Sequence, residues 1–152
     1  MTLSRERTRT VKRLVVICIA LFIAIQLVPY GRDHTNPPVQ KEPAWDRPIT
    51  REIFFSVCKN CHSNQTEWPW YSNVAPFSWL AQYDVEHGRS HFNASEWGRP
   101  SRNKGDEAAD EVRENEMPPW YYRPLHPEVW LDAAERDAFG AGLERTFGKK
   151  KD

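Results

Sequence analysis

The chain has 152 residues, 21 acidic and 21 basic, with only three cysteines. That length holds one domain plus short accessory segments. The charge is uneven: residues 1–13 carry Arg5, Arg7, Arg9, Lys12 and Arg13 against Glu6, a net +4, and the remaining −4 excludes a basic nucleic-acid-binding face on the rest.

The basic head, residues 1–13, precedes an apolar run from Leu14 to Val28. As a helix that run spans about 22 Å, against a hydrocarbon core of roughly 30 Å. Val11 and the stems of Lys12 and Arg13 extend it by snorkelling, and Tyr30 suits a membrane interface. Segment 14–30 therefore reads as a transmembrane anchor or a signal. No small residues stand at cleavage positions after it, which favours an uncleaved anchor. Cys18, preceded by Ile17 inside the run, reads as a membrane-facing apolar residue. The basic head keeps the N-terminus cytoplasmic. The expectation is a single-pass protein of a bacterial inner membrane, with its C-terminal domain in the oxidising periplasm.

Residues 31–48 contain four prolines and no periodicity, the pattern of a semi-extended linker. A domain over 49–148 follows, with four helical segments. Thr50 can cap a helix through about His62, with Ile53, Phe54 and Val57 on one face. Pro76 opens a second helix that Gly88 can end. Residues 104–116 form a charged helix with a narrow stripe of Ala108, Ala109 and Val112. Its Glu107, Asp110, Glu111 and Glu114 make an acidic face, more a solvated surface than a docking patch. The last helix, 132–147, opens with a capping box from Asp132 to Glu135 and buries Ala138, Phe139, Leu143 and Phe147. No alternating run of strand length is present. The fold class is all-α, with long loops, preceded by the N-terminal membrane helix.

The segment "SVCKNCHSNQ", residues 56–65, holds the chemistry. On a helix, residues i, i+3 and i+4 share a face, so Cys58, Cys61 and His62 project together. Two thiols at that spacing can each bond one vinyl-derived carbon of a porphyrin, with the adjacent imidazole beneath the iron. C-x-x-C-H is therefore the signature of covalent c-type haem attachment. Zinc is an alternative, because His87 and His91 would complete a Cys₂His₂ set with Cys58 and Cys61. However, 25 residues separate the two halves and His62 is left unused. A redox dithiol expects a βαβ setting that is absent here. A plain disulfide leaves the histidine without a role.

The second axial ligand is expected from Met117 in "ENEMPPWYY", 55 residues beyond His62. Pro118 biases Met117 to an extended conformation, and Pro119 stiffens the same loop. The competing reading of Met117 is a core gap-filler. His87 and His91 suit a solvated helix end, His126 a loop or cap, and His34 lies in the linker. Seven Trp, five Tyr and seven Phe accompany few aliphatic residues after residue 30. Trp68, Trp70, Tyr71, Trp79, Trp120 and Tyr121 are candidate walls for a flat apolar cofactor, or the core itself.

The pattern "CHSNQTEWPWYSNVAPFSW", then "SEW", then "EMPPWYYRPLHPEVWLDAAERDAF", resembles a family of bacterial haem-binding domains from about Ile49 to Phe139. The resemblance implies a small, cytochrome c-like, membrane-tethered monohaem domain. It implies Cys58 and Cys61 as attachment residues, His62 as proximal ligand and Met117 as the distal one. The expected function is one-electron transfer, with periplasmic or membrane redox proteins as partners and one covalent haem c as cofactor. Two alternatives remain: a haem sensor or enzyme with a labile distal position, and a structural zinc module.

Overall fold

The computed structural model describes residues 2–98 and 104–149, with side chains from Glu6 onward. Residues 99–103 of the expected domain and Met1 of the basic head lie outside these. Among the described residues there are six α-helices: α1 (Thr2–Ile25), α2 (Pro48–Val57), α3 (Lys59–His62), α4 (Phe77–His91), α5 (Ala108–Arg113) and α6 (Ala133–Phe147). Between them, 3₁₀ turns lie at Trp70–Asn73, Gly105–Glu107, Arg123–Leu125 and Pro127–Val129. Among the described residues there is no strand, only an isolated bridge between Lys41 and Glu96. The all-α expectation agrees with this. The chain divides into two compact units: Met1–His34 with Pro69–Tyr83, and Thr35–Trp68 with Asp84–Asp152.

The first unit corrects the membrane expectation. Among the described residues no helix is long and apolar enough to cross a membrane. The membrane helix placed before the domain, and with it the single-pass inner-membrane localisation, is therefore not supported. The physical reason lies at both ends of the run. On the N-terminal side, α1 is charged up to Arg13; on the other, it stops at Ile25. Only Leu14–Ile25 is both helical and apolar, a stretch of about 18 Å. Gln26 ends it: its Nε2 donates to the carbonyls of Phe22 and Ala75, both at 3.0 Å, and its Oε1 accepts from the Ala75 N–H at 2.9 Å. Gly31, at φ +79°, follows. A side chain there would overlap the Ser78 carbonyl, so the turn needs glycine.

The second unit holds an aromatic core. Phe54, Phe139 and Leu143 are fully buried, with Phe92, Ala94, Ala109 and Val112 around them. Trp45, Trp97 and Phe147 close over this cluster, with ring centroids 5.0 Å apart for Trp45–Phe54 and 4.8 Å for Trp97–Phe147. Burying each such large side chain contributes about 1.5–3 kcal/mol. Aromatics thus fill volume that scarce aliphatic residues leave.

Helix ends differ from the expectations in instructive ways. Pro48 at the first helical position starts α2, with Arg47 as its N-cap, so Thr50 is buried within the helix and does not cap it. The stretch to His62 breaks at Cys58, which is both the end of α2 and the start of α3. Gly88 does not end α4, which runs to His91. The charged segment forms only six residues of α-helix after a 3₁₀ turn. Asn115, at φ +61°, stops it in the left-handed conformation that Asn tolerates. Its acidic face is partly neutralised, since Arg113 pairs with Glu144 at 2.9 Å and Asp110 at 3.6 Å. In α6 the capping box between Asp132 and Glu135 is present as expected, but Ala138 is exposed. Gly140 and Gly142 are buried in its place. A side chain at Gly142 would lie 2.5 Å from Thr50 Oγ1, so the glycine lets α6 close on α2.

Candidate functional site

The motif turn is one continuous hydrogen-bonded step. The Cys58 N–H donates to Phe54 O at 2.8 Å, and the Cys58 carbonyl accepts from Cys61 N at 3.2 Å and His62 N at 3.0 Å. Cys58, Cys61 and His62 are thereby held on one turn, as their spacing predicts. Both cysteines are half-buried free thiols. Burial raises both thiol pKa values, Cys61 to about 12, so both sulfurs are protonated.

His62 is held by Phe92, the residue that follows α4. Its ring stacks on Phe92, with centroids 4.2 Å apart and planes 16° from parallel. Its Nδ1 lies 3.3 Å from the Phe92 carbonyl. A carbonyl only accepts, so Nδ1 carries the proton in this bond. Burial, the largest effect, pushes the His62 pKa down to about 4. The imidazole is therefore neutral near pH 7, and the unprotonated nitrogen is Nε2, the atom a metal takes.

The segment after the motif is polar and deeply buried: Ser63, Asn64 and Thr66 are at most 6 % exposed. Arg89, on α4, donates from Nε to Ser63 O at 2.8 Å and from Nη2 to Thr66 Oγ1 at 2.9 Å. Asn64 accepts from Asn93 Nδ2 at 2.7 Å, and the Ala94 N–H donates to His62 O at 2.8 Å. Gly88 completes the support. A Cβ there would lie 2.5 Å from the Cys61 carbonyl oxygen, so only glycine lets α4 approach the motif this closely. Asp84, one turn earlier, accepts from the Tyr121 hydroxyl at 3.0 Å, and desolvation raises its carboxyl pKa.

Met117 sits in a loop of the same unit and is 38 % exposed. Its N–H donates to Glu111 O at 3.1 Å. His87 and His91 are exposed, with rings 4.4 Å apart. Among the described residues no group of three or more His, Cys, Asp or Glu side chains is placed to hold a metal ion, which disfavours the Cys58, Cys61, His87 and His91 zinc set. His126 is buried and stacked on Tyr122 at 3.8 Å, with its Nδ1 2.7 Å from Glu128 Oε1. His34 Nε2 bonds Ser72 O at 3.1 Å in the first unit. Of the candidate wall aromatics, Trp70, Tyr71 and Trp79 belong to the first unit, and Trp68, Trp120 and Tyr121 to the second. Trp70 and Trp120 are more than three-quarters exposed.

The haem-binding domain family matches residues 20–145, most of the chain. The chain belongs to this family. Haem is therefore the cofactor of this haem-binding domain. The match extends beyond the stretch of likeness, Ile49–Phe139, to take in the end of α1 and the whole proline-rich segment. No curated protein and no solved structure matches the chain. The residues of the motif turn fit the cofactor by their chemistry: two free thiols and an imidazole with an available nitrogen lie on one turn, which Gly88 lets α4 pack against.

Sequence reasoning missed Asn60, Ser63, Asn64, Thr66, Gly88, Arg89 and Phe92. A signal for some of them was present. Ser63, Asn64 and Thr66 stand directly after the motif, where a short polar run reads as loop but supplies buried hydrogen bonds. The pairing with Arg89 and Phe92 depends on α4 continuing past Gly88.

Proposed function

We propose that this haem-binding domain is a monohaem c-type cytochrome that carries single electrons. Cys58 and Cys61 are the attachment residues. Each thiol would add across one vinyl group of the haem, sulfur to one carbon and hydrogen to the other, with no oxidant consumed. His62 supplies Nε2 as proximal ligand, its ring orientation fixed by Phe92 and its proton kept on Nδ1. Met117 would supply a thioether as the second ligand. The bound haem supplies the ferric–ferrous couple, and a His/Met pair raises its potential relative to bis-His ligation. Partners are redox proteins that deliver or accept one electron.

The observation that carries this reading is the neutral His62, bonded through Nδ1 to Phe92 O, on the same turn as two free thiols. The test is intact mass and a pyridine haemochrome spectrum of the chain produced with haem-attachment machinery. One covalent macrocycle per chain is expected; haem that dissociates on denaturation would refute c-type attachment. The exposure of Met117 favours a second reading, a sensor or enzyme with a labile sixth position. Rapid binding of cyanide or carbon monoxide at low concentration by the resting protein would favour that reading.

A further inference from the structure

Asn60, the second of the two residues between the cysteines, is not a passive spacer. Asn60 Nδ2 donates to the Tyr122 hydroxyl at 3.0 Å, while its Oδ1 accepts from the Glu67 N–H at 2.9 Å. Its own carbonyl accepts from Thr66 Oγ1 at 2.7 Å. Both ends of the amide and the backbone are thus engaged, which fixes the side-chain direction. Tyr122 is equally constrained. Its ring lies flat on His126, planes 2° from parallel, and its N–H donates to Pro119 O at 3.0 Å. The next residue, Arg123, reaches back across the loop: Nε donates to Pro118 O at 2.8 Å and Nη2 to Asn115 O at 2.6 Å. Those two carbonyls flank Met117 on either side. The motif turn is therefore tied to Tyr122, and the backbone around Met117 is tied to the residue after Tyr122.

We propose that Asn60 and Tyr122 are positioning residues, whose hydrogen bond sets the loop bearing Met117 in register with the motif turn bearing His62. The proposal rests on Met117 being the distal ligand. A loop held in register presents the thioether without first being ordered, so the internal ligand outcompetes external ones. A released loop must be ordered each time, and an added ligand gains against it.

The test compares wild type with Tyr122→Phe, Asn60→Ala, the double variant and Met117→Ala, each as the full chain with haem attached. Imidazole is titrated into the ferric protein while the weak red band of thioether-ligated haem is followed. Tyr122→Phe keeps the ring on His126 and removes only the hydroxyl. Its imidazole affinity is expected to rise roughly two- to tenfold, the range that one hydrogen bond's net worth spans. Asn60→Ala, which also removes the bond from the Glu67 N–H, is expected to raise it at least as much, and adding Tyr122→Phe to Asn60→Ala is expected to change little more, because the two side chains share one bond. Amide exchange over residues 117–125 in the haem-free chain is expected to quicken in Tyr122→Phe. If Met117→Ala abolishes the red band but Tyr122→Phe leaves imidazole affinity unchanged, the tie is structural only and the proposal falls. If Met117→Ala leaves the band intact, the ligand reading itself falls, and the proposal with it.

Discussion

Gly88→Ala sets two well-known effects against each other at one atom. Gly88 lies inside α4, where replacing glycine by alanine ordinarily stabilises a helix by about 1 kcal/mol. Here the new Cβ would stand 2.5 Å from Cys61 O, 2.9 Å from Cys61 Cβ and 3.0 Å from Cys61 C. Two of those three atoms are backbone, so no side chain can rotate away. Relief requires α4 and the motif turn to separate by about 0.5 Å merely to clear the overlap. Overpacking of this kind costs about 1–3 kcal/mol. The upper part of that range applies, because the neighbouring Arg89 and Phe92 contacts hold the same two segments together. The expected net loss is about 1–2 kcal/mol, read as a lower urea midpoint with an unchanged slope. Unfolding of the haem-free chain, followed by circular dichroism, measures it. An alanine variant as stable as wild type, or more so, would show that α4 does not press on Cys61.

Met117→Ala should keep the covalent haem and lose the weak red band of the ferric protein, with little change in the stability of the haem-free chain because the side chain is partly exposed. Cys61→Ser should lower haem staining after denaturing electrophoresis, and undiminished staining would exclude attachment there. Acid should weaken the pairing of Arg51 with Glu42, whose two oxygens it contacts at 2.8 Å. The hydrogen bond from Arg51 holds the Glu42 pKa below its ordinary 4.5, so the folded state binds fewer protons. That contribution is present above pH 4.5 and lost as pH falls through the lowered folded value. Arg51→Gln should therefore cost about 0.2–1 kcal/mol at pH 7, and the gap from wild type should close in strong acid. A gap that persists at pH 2 in urea unfolding would assign the loss to packing of Arg51 on Phe55.

The sequence carried the class of fold and the motif turn because both rest on local rules. Period and capping place α6, and i, i+3, i+4 spacing places Cys58, Cys61 and His62. What it did not carry depends on contacts between distant segments. Gly88 has the residue type of a helix end, and only the nearness of Cys61 turns it into a packing position. The charged helix stops short of residue 116 because Asn115 takes a left-handed conformation, which the residue type alone does not announce. The apolar run has the composition of an anchor, but Gln26 finds both hydrogen-bonding groups of Ala75 and stops the helix at Ile25. Ala138 fits the apolar stripe of α6 yet faces solvent, since glycines at 140 and 142 bring α6 against Arg113 and Thr50.

The two proposed axial ligands are held by different means, and this divides the effects of mutation. His62 is fixed by buried groups: a ring stacked on Phe92, a hydrogen bond to its carbonyl, and a following segment sealed by Asn64 and Arg89. Removing one partner of any of these hydrogen bonds leaves a buried polar group unpaired, at about 1–3 kcal/mol. Met117 is fixed through its backbone, by Glu111 on one side and the Arg123 clip across its neighbours. Its side chain contributes little burial. Changes on the His62 side should therefore appear first as lost stability and poor haem attachment, whereas changes on the Met117 side should appear first in the spectrum and in competition with added ligands. An Arg89→Ala chain that keeps wild-type stability but loses the red band would reverse this order, and would mean that the polar segment after the motif supports the distal loop rather than the proximal turn.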